Sequence, residues 1–417
     1  MKKESLWKLL ALSGVPLIMV LGNSMLIPVL PDMQKAMEIT KMEAGLTITL
    51  FSLPAGVAIP VMGFLADKYG RKPIIIPALI IYAAGGVVSG LAAFWWKSYP
   101  LLLTGRVIQG LGASGTGPIA MALVSDIFTS SERAKALGGL EAANGLGKVI
   151  SPILGAAVAL IIWYALFFVY AILAIPIALF VWMIIKEPAP KERNQSAGAY
   201  IGKLKNIFQQ KGKSLTGCYF AGSIVLLVLF GILSYLSDVL EKNYGLDGMI
   251  KGFALAVPVL AMSSTSFFGG RFLENQLGRL KFFMIIGLVM VGASMTTIGL
   301  ISTDLAFFVG VVVMGIGTGL VLPAVNTLVT SSVRLEERGG ITALYGGVRF
   351  VGVAIGPPAF DLLLGFNRGV MFLGGGFLAA LALVLVLWLV NEQQLLRGFQ
   401  KDQDSARKAP ELSPEPT

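Results

Sequence analysis

The segment Gly63-Phe-Leu-Ala-Asp67-Lys-Tyr-Gly70-Arg71-Lys72-Pro73 is a short charged stretch between two long apolar runs. The runs on either side, residues 44–62 and 74–94, are each long and apolar enough to cross a bilayer, which takes about 20 residues. The segment therefore predicts a tight connection between two membrane-spanning helices at a membrane surface.

The residue types in this connection suit that position. Gly63 permits close approach of two helices, and Asp67 can accept hydrogen bonds from a neighbouring helix N-terminus. Gly70 supplies the turn, while Arg71 and Lys72 hold the connection at an anionic membrane face. The spacing GxxxD(R/K)xGR(R/K) resembles the signature between the second and third helices of the major facilitator superfamily. An ordinary basic loop is the alternative, but it explains neither the two glycines nor the aspartate.

The composition of the whole chain excludes a soluble globular protein. Of 417 residues, 55% are hydrophobic and 13% are charged, against about 25% charged in soluble domains. The single cysteine, Cys218, and the lack of histidine exclude a disulfide framework and the commonest metal sites, so any proton chemistry falls to carboxylates. No GxxxxGK[ST] phosphate-binding motif occurs, so we expect a protein that is not an enzyme and has no cofactor.

The apolar runs divide the chain into an even number of spans. We expect twelve, near residues 9–31, 44–66, 74–94, 100–124, 136–160, 163–185, 215–238, 250–272, 282–302, 304–328, 339–363 and 369–391. Of the 33 lysines and arginines, 24 fall on one side of this arrangement and six on the other, which predicts that both termini are cytoplasmic. The net charge of +10 therefore reflects membrane orientation, and we expect no nucleic-acid partner.

The two halves of the chain repeat each other at an offset of 205 residues. Seven positions match: Gly110, Gly112, Pro118, Glu132, Arg133, Gly147 and Pro152 pair with Gly315, Gly317, Pro323, Glu337, Arg338, Gly352 and Pro357. This predicts an all-α polytopic membrane protein, with two six-helix bundles related by a parallel repeat. We expect an N-terminal bundle at 1–185, a cytoplasmic basic linker at 186–214, a C-terminal bundle at 215–392 and a disordered cytoplasmic tail at 393–417. Within the linker, residues 200–208 predict a short amphipathic helix on the membrane surface.

Two motifs carry polar residues into the membrane. Residues 21–31 have the spacing GxxxxxPxxP, which resembles the first-helix signature of the drug:proton antiporter branch, although a proline kink and stop explains the same prolines. Asn23 in this motif should face the space between the halves, because an unsatisfied amide in lipid is costly. Residues 106–112 are similar to the RxxQGxG motif of the superfamily. Because Val311 takes the place of Arg106 in the repeat, we assign Arg106 and Gln109 to coupling or substrate contact, with a structural role as the alternative.

A third motif predicts tight helix packing. Residues 147–156 resemble the antiporter signature GxxxGPxxGG with Ser151 and Ala156 in place of two glycines, and residues 352–357 carry the same motif. Small residues and proline favour a closely packed, bendable helix contact. The packing residues are Gly147, Pro152, Gly155, Gly352, Gly356 and Pro357.

The charges inside the membrane predict the substrate class. Lys148 and Arg349 fall in the middle third of their spans, whereas Glu141 is the deepest acid. Uncompensated cations there are costly, so we infer a binding site for anionic or oxygen-rich ligands. The alternative is a closed ion-pair network of Lys148 and Arg349 with Glu141 and Asp126.

The resemblance implies a proton-coupled exporter that works by alternating access. We expect export of a small amphipathic molecule, such as an anionic metabolite or siderophore, from a bacterial plasma membrane by a monomer in contact with membrane lipids. Glu141 is the first candidate for proton coupling and Asp32 the second, while Asp67 would gate by engaging the start of the eleventh span. A cationic multidrug exporter, an importer of sugars or organic anions, a lipid flippase and a non-transporting receptor remain alternatives.

Overall fold

The computed structural model describes residues 3–128, 130–187, 197–274, 277–301, 303–333 and 338–396, in which all regular elements are helical. The helices are α1 (Lys3–Ser24), α2 (Leu30–Met37), α3 (Lys41–Tyr69), α4 (Lys72–Leu91), α5 (Tyr99–Ser114), α6 (Gly117–Ile127), α7 (Ser130–Ala159), α8 (Ala165–Ile184), α9 (Ala197–Lys242), α10 (Gly248–Glu274), α11 (Leu280–Leu300), α12 (Asp304–Ser331), α13 (Arg338–Leu364) and α14 (Arg368–Leu389).

Twelve stretches of these helices are long and apolar enough to cross a membrane, and each coincides with one predicted span. The first span consists of α1, a 3₁₀ turn at Ile27–Val29 and α2, because Pro28 and Pro31 interrupt the backbone hydrogen bonding of a continuous helix. The fourth span consists of α5 and α6. The predicted all-α polytopic fold is therefore confirmed. Because the number of spans is even, α1 begins and α14 ends at the same membrane face, here termed the terminal face; the opposite face is termed the far face.

The repeat is visible in helix contacts. A methyl group added at Gly110 of α5 would lie 2.1 Å from the backbone oxygen of Phe51 in α3. In the other half, a methyl group added at Gly315 of α12 would lie 2.4 Å from the backbone oxygen of Pro258 in α10. Glycine at both positions is thus required by the same close helix crossing, and the matched glycines in the sequence have a common structural cause.

A second repeated contact caps the N-terminus of one helix in each half. The carboxylate of Glu187 accepts hydrogen bonds from the backbone N–H groups of Arg71 and Lys72 at 2.7 and 2.8 Å, at the start of α4. The carboxylate of Glu392 accepts from the backbone N–H of Leu280 at 2.7 Å, at the start of α11. Glu187 and Glu392 are 205 residues apart, so this contact follows the same repeat. Negative charge at a helix N-terminus is stabilising in both places.

Helix α9 differs from the expectation for the linker. It runs for 46 residues without a break, so residues 197–214 continue directly into the seventh span. The predicted separate surface helix at residues 200–208 is therefore wrong, because no proline divides this segment from the span. Residues 188–196 of the linker and 397–417 of the predicted tail lie outside the described residues.

The two halves meet along two helix pairs. Helix α3 packs against α13, and α7 packs against α10. Within each half, α7 also packs on α1, and α13 also packs on α9. The central polar residues of α7 and α13 are therefore positioned from opposite halves.

Candidate functional site

Arg106 is fully buried inside the N-terminal half. Its Nε atom donates to the backbone oxygen of Thr47 at 3.0 Å, and one terminal nitrogen donates to Gln109 Oε1 at 2.6 Å. The other terminal nitrogen donates to the Gly22 backbone oxygen at 2.8 Å and to Asn23 Oδ1 at 3.1 Å. The guanidinium therefore joins α1, α3 and α5 in a hydrogen-bonded cluster.

This cluster accounts for three of the predicted site residues. Asn23 also donates from Nδ2 to Ser52 Oγ at 2.6 Å, and Arg106 stacks 4.5 Å from the ring centre of Phe51. Asn23 is 4% exposed, while Arg106 and Gln109 are 0% exposed, so none of them faces an open space in this conformation. Buried hydrogen bonds to a charged group are strong, and this geometry favours the structural role for Arg106.

Lys148 and Arg349 occupy a different place. Lys148 lies near the middle of α7 in one half, and Arg349 near the middle of α13 in the other. Each is half-buried, and the two charges are close enough to repel each other. Arg349 stands 5.4 Å from the ring centre of Tyr345, and its buried Nε atom has no hydrogen-bond partner. The two predicted cations thus act on each other electrostatically across the boundary between the halves.

The residues around this cationic pair do not form the alternative closed network. Within the described ranges, neither Lys148 nor Arg349 makes a salt bridge to a carboxylate. Glu141 is exposed and lies near enough to Lys148 to attract it electrostatically. Asp126 instead pairs with Arg71 Nε at 3.4 Å, at the terminal face.

The predicted gating segment lies at the terminal face. Arg71 pairs with Asp67 at 2.6 Å, and Gly70 has φ +106°, which favours glycine. Asp67 Oδ2 would lie 3.6 Å from a methyl group added at Gly339, the second residue of α13. Asp67 therefore sits at the start of the eleventh span. Lys72 Nζ donates to the backbone oxygens of Trp182 and Ile185 at the end of α8.

The predicted packing residues lie at close helix contacts. A methyl group at Gly155 would come within 2.0 Å of the Met25 backbone oxygen, and one at Gly352 within 2.2 Å of the Ser223 backbone oxygen. Pro152 and Pro357 both lie on contacts between the halves, against Gly252 and Gly45. A methyl group at Gly147 would lie 3.5 Å from the Leu17 side chain, and one at Gly356 would lie 2.5 Å from the Leu227 backbone oxygen.

A set of ion pairs at the far face was not predicted from the sequence. Lys41 of α3 pairs with Asp238 of α9 at 3.1 Å and lies 4.0 Å from Asp361 of α13. Glu241 of α9 accepts hydrogen bonds from Lys35 of α2 and from the buried Lys251 of α10. These residues are termed the far-face cluster; in it, Lys35 and Lys41 of the N-terminal half meet acids of the C-terminal half, whereas Lys251 belongs to the C-terminal half itself. Their positions at helix ends were visible in the sequence, but their pairing was not.

Sequence comparison then identifies the family. The profile described as Major Facilitator Superfamily matches residues 12–248 and again 218–414. The chain belongs to the major facilitator superfamily. The two successive matches agree with the internal repeat, and membership confirms a transporter rather than an enzyme.

Curated members of the superfamily include close relatives of this chain. The Bacillibactin exporter of Bacillus subtilis (strain 168) is 38% identical over 389 residues, which cover 93% of this chain and 97% of the relative. The class B tetracycline resistance protein of Escherichia coli is 23% identical and covers 84% of this chain and 86% of the relative.

A solved superfamily structure shows the same fold. The human organic anion transporter MFSD10 (TETRAN) superposes with a TM-score of 0.70 at 17% identity, covering 93% of this chain and all of that chain. At this identity the likeness concerns the fold alone.

Proposed function

We propose that this superfamily member exports a small amphipathic anion, of the siderophore class, from the bacterial cytoplasm. The similarity to the Bacillibactin exporter over nearly the full length of both chains supports this substrate class. The excess of basic residues at the terminal face supports a plasma-membrane orientation with both termini cytoplasmic.

The observation that carries the proposal is the cationic pair. Lys148 lies near the middle of α7 and Arg349 near the middle of α13, in opposite halves, and their charges repel each other without an acid in salt-bridge contact among the described residues. A buried, unpaired charge is costly in the membrane, and two like charges increase that cost. An anion placed between them would relieve the repulsion, and the free Nε–H of Arg349 offers it a hydrogen bond.

Transport would follow from alternate opening of the two faces. In this conformation the far-face cluster holds the halves together at one end of the site. Export requires these ion pairs to separate after the anion has bound from the terminal face. Two rigid bundles that rock about a midplane site are the usual way in which a parallel repeat performs such a change.

Glu141 supports coupling to protons. Glu141 is the acid that attracts Lys148, so neutralising Glu141 would make the electrostatic potential that an anion meets at Lys148 more positive. Proton binding at Glu141 and anion binding at Lys148 are therefore energetically linked. We expect Glu141→Gln to transport without responding to a pH gradient; a full response in that variant would remove Glu141 as the coupling group.

Flux measurements with opposite charges test the proposal. Purified protein in liposomes is assayed with bacillibactin and, separately, with tetraphenylphosphonium. Lys148→Ala and Arg349→Ala should each lower bacillibactin flux by about 10- to 100-fold, the loss expected for one charged hydrogen bond, with a much smaller effect on the cation. Lys135→Ala, which removes an exposed charge from the same helix as Lys148, serves as the matched control.

A cationic multidrug exporter is the second candidate. The exposed carboxylate of Glu141, within a span and without a salt bridge in the described part of the chain, is the observation in its favour. Equal losses for both probes in the same assay would exclude anion selectivity. Tetraphenylphosphonium flux that requires Glu141 and ignores Lys148 would favour this second candidate.

A further inference from the structure

The two helix pairs that join the halves are not closed to the same extent. The first seam, between α3 and α13, is in contact along its whole length. Added methyl groups would lie 3.3 Å from Pro357 at Gly45, 2.7 Å from the Gly347 backbone oxygen at Gly56, and 3.3 Å from Ala343 at Gly63. These three glycines share one face of α3, because 11 and 18 residues correspond to whole helical turns.

The second seam, between α7 and α10, is closely packed in its far-face part and less so toward the terminal face. A methyl group at Gly252 of α10 would lie 2.8 Å from Ala156 and 2.9 Å from the Pro152 backbone oxygen. Toward the terminal face, methyl groups at Gly145 and Gly138 of α7 would meet no atom within 4 Å. Both glycines share the helix face of Ala156, since 18 residues make five turns. The same face of α7 therefore touches α10 at one end and open space at the other.

The repeat explains why the second seam stays apart. At the closest point of the first seam, Gly56 meets Gly347, and a methyl group on either would come within 2.7 or 2.4 Å of the opposite backbone oxygen. The equivalent positions in the second seam are Ser263, at an offset of 207, and Ala142, at an offset of 205. Both carry a Cβ atom, so the second seam cannot adopt the same close approach. The hydroxyl oxygen of Ser263 is buried and without a hydrogen-bond partner.

The open part of this seam separates two chemically different sides of α7. At 100° per residue, Glu141 and Lys148 lie on one flank of the face that bears Gly138, Gly145 and Ala156. Ala142 and Leu146 lie on the other flank, and Leu146 is 57% exposed. The gap thus connects an apolar outer side, suited to lipid, with the side that carries the cationic pair.

We infer that the open part of the second seam is a lateral portal, through which an amphipathic anion passes from the leaflet at the terminal face to Lys148 and Arg349. This inference rests on the proposed function for the charge of the substrate. The apolar part of the molecule lies against the Leu146 flank, while its anionic group reaches the cations behind the seam. The portal extends along α7 from Gly138 to Gly145, which is about 10 Å at 1.5 Å per residue.

Disulfide cross-linking tests whether the gap exists. In a Cys218→Ala background, the pair Gly138→Cys and Gly270→Cys is compared with the repeat-equivalent pair Gly63→Cys and Ala343→Cys. Without substrate, the Gly63→Cys/Ala343→Cys pair should cross-link at least about tenfold faster than the Gly138→Cys/Gly270→Cys pair, because α3 and α13 are in close contact near the terminal face whereas α7 and α10 are not. Equal rates for the two pairs would overturn the inference.

Portal variants test its use. Gly145→Phe should slow bacillibactin uptake into inside-out vesicles about fivefold or more, since it narrows the path without touching the cations. Gly145→Ala, whose methyl group meets no neighbour, should remain within about twofold of the parent. The double variant Ala142→Gly/Ser263→Gly, which removes the Cβ atoms that keep the seam apart, should also slow uptake.

The outcomes separate this inference from the proposed function. Unchanged uptake in Gly145→Phe and in the double variant would mean that the gap holds lipid only, and would refute the portal. Loss of uptake in these variants together with equal effects of Lys148→Ala on anion and cation flux would support the portal and refute the anionic substrate. Equilibrium binding of bacillibactin in detergent should be unaffected by Gly145→Phe, because the bound position is not altered.

Discussion

Replacing Lys41 with methionine should shift the protein toward opening at the far face. Lys41 comes from the N-terminal half and pairs at 3.1 Å with Asp238 of the C-terminal half, with side chains 19% and 13% exposed. Exposed pairs contribute about 0.2–1 kcal/mol, and breaking a buried pair costs about 3–5 kcal/mol. For this partly buried pair we expect about 1–2 kcal/mol, which changes the ratio of open to closed far face by about 5- to 30-fold.

Thiol labelling at Ser237 measures this shift. Ser237 is fully buried, and its hydroxyl donates to the Ile27 backbone oxygen of the other half at 2.9 Å. With Cys218→Ala and Ser237→Cys as the reference, a membrane-impermeant maleimide added from the far side should react about 5- to 30-fold faster after Lys41→Met. Lys8→Met, which breaks only an ion pair within α1, is the control and should leave the rate unchanged.

The double variant decides whether Lys41 and Asp238 act as a pair. If they do, Lys41→Met/Asp238→Asn should label no faster than the more affected single variant, because the second change removes nothing further. Unchanged labelling in Lys41→Met, or fully additive effects in the double variant, would refute the role of this ion pair in closing the far face.

Five further substitutions, in three experiments, test the packing within each half. Arg106→Met should lower the free energy of unfolding by about 3 kcal/mol or more, because it leaves several buried acceptors without their donor, and thermal unfolding of the purified protein measures this. Gly110→Ala should destabilise by about 1–3 kcal/mol through the clash with a backbone oxygen of α3. Gly202→Ala, with open space around it, should be neutral or stabilising, because alanine lowers the entropy of the unfolded chain; an equal loss in both variants would mean that the clash is not the cause. Glu187→Ala and Glu392→Ala should each cost about 1 kcal/mol, and clearly unequal losses in thermal unfolding would contradict the equivalence of the two contacts.

The sequence was sufficient for the spans because their signal is local. Twenty consecutive apolar residues identify a membrane helix without knowledge of its neighbours. Glycines such as Gly110 and Gly315 carry a different signal: they recur at a fixed offset, which indicates a contact that both halves need. The membrane depth of Lys148 and Arg349 was likewise readable from their distance to the ends of the apolar runs.

Partners distant in sequence were not readable in the same way. Lys35 and Glu241 are 206 residues apart, and nothing near either of them specifies the other. The acids of the far-face cluster could be placed at helix ends, but which lysine each one meets depends on the packing of the two halves. The continuity of α9 has a different cause. The polar, basic composition of residues 197–214 is typical of a linker, but this stretch has no proline to end the helix.

Comparing the two halves with each other separates packing from specific chemistry. Positions kept across the repeat, such as Gly110 and Gly315 or Glu187 and Glu392, make the same contact twice and therefore maintain the common framework. Positions that diverged make the halves unequal, and they include each element of the proposed site. The divergent pairs are Lys148 with Val353, Asn144 with Arg349, Gly56 with Ser263 and Ala142 with Gly347.

Arg106 shows the limit of this reasoning. It also diverged, to Val311, yet its hydrogen bonds all end within the N-terminal half. Divergence alone therefore does not indicate contact with substrate. The criterion that distinguishes Lys148 and Arg349 is that their charges face across the boundary between the halves without an acid bound to them. A charge satisfied within one bundle moves with that bundle, whereas a charge that faces the other bundle changes its surroundings whenever the two halves move, and the proposed anion transport would depend on this change.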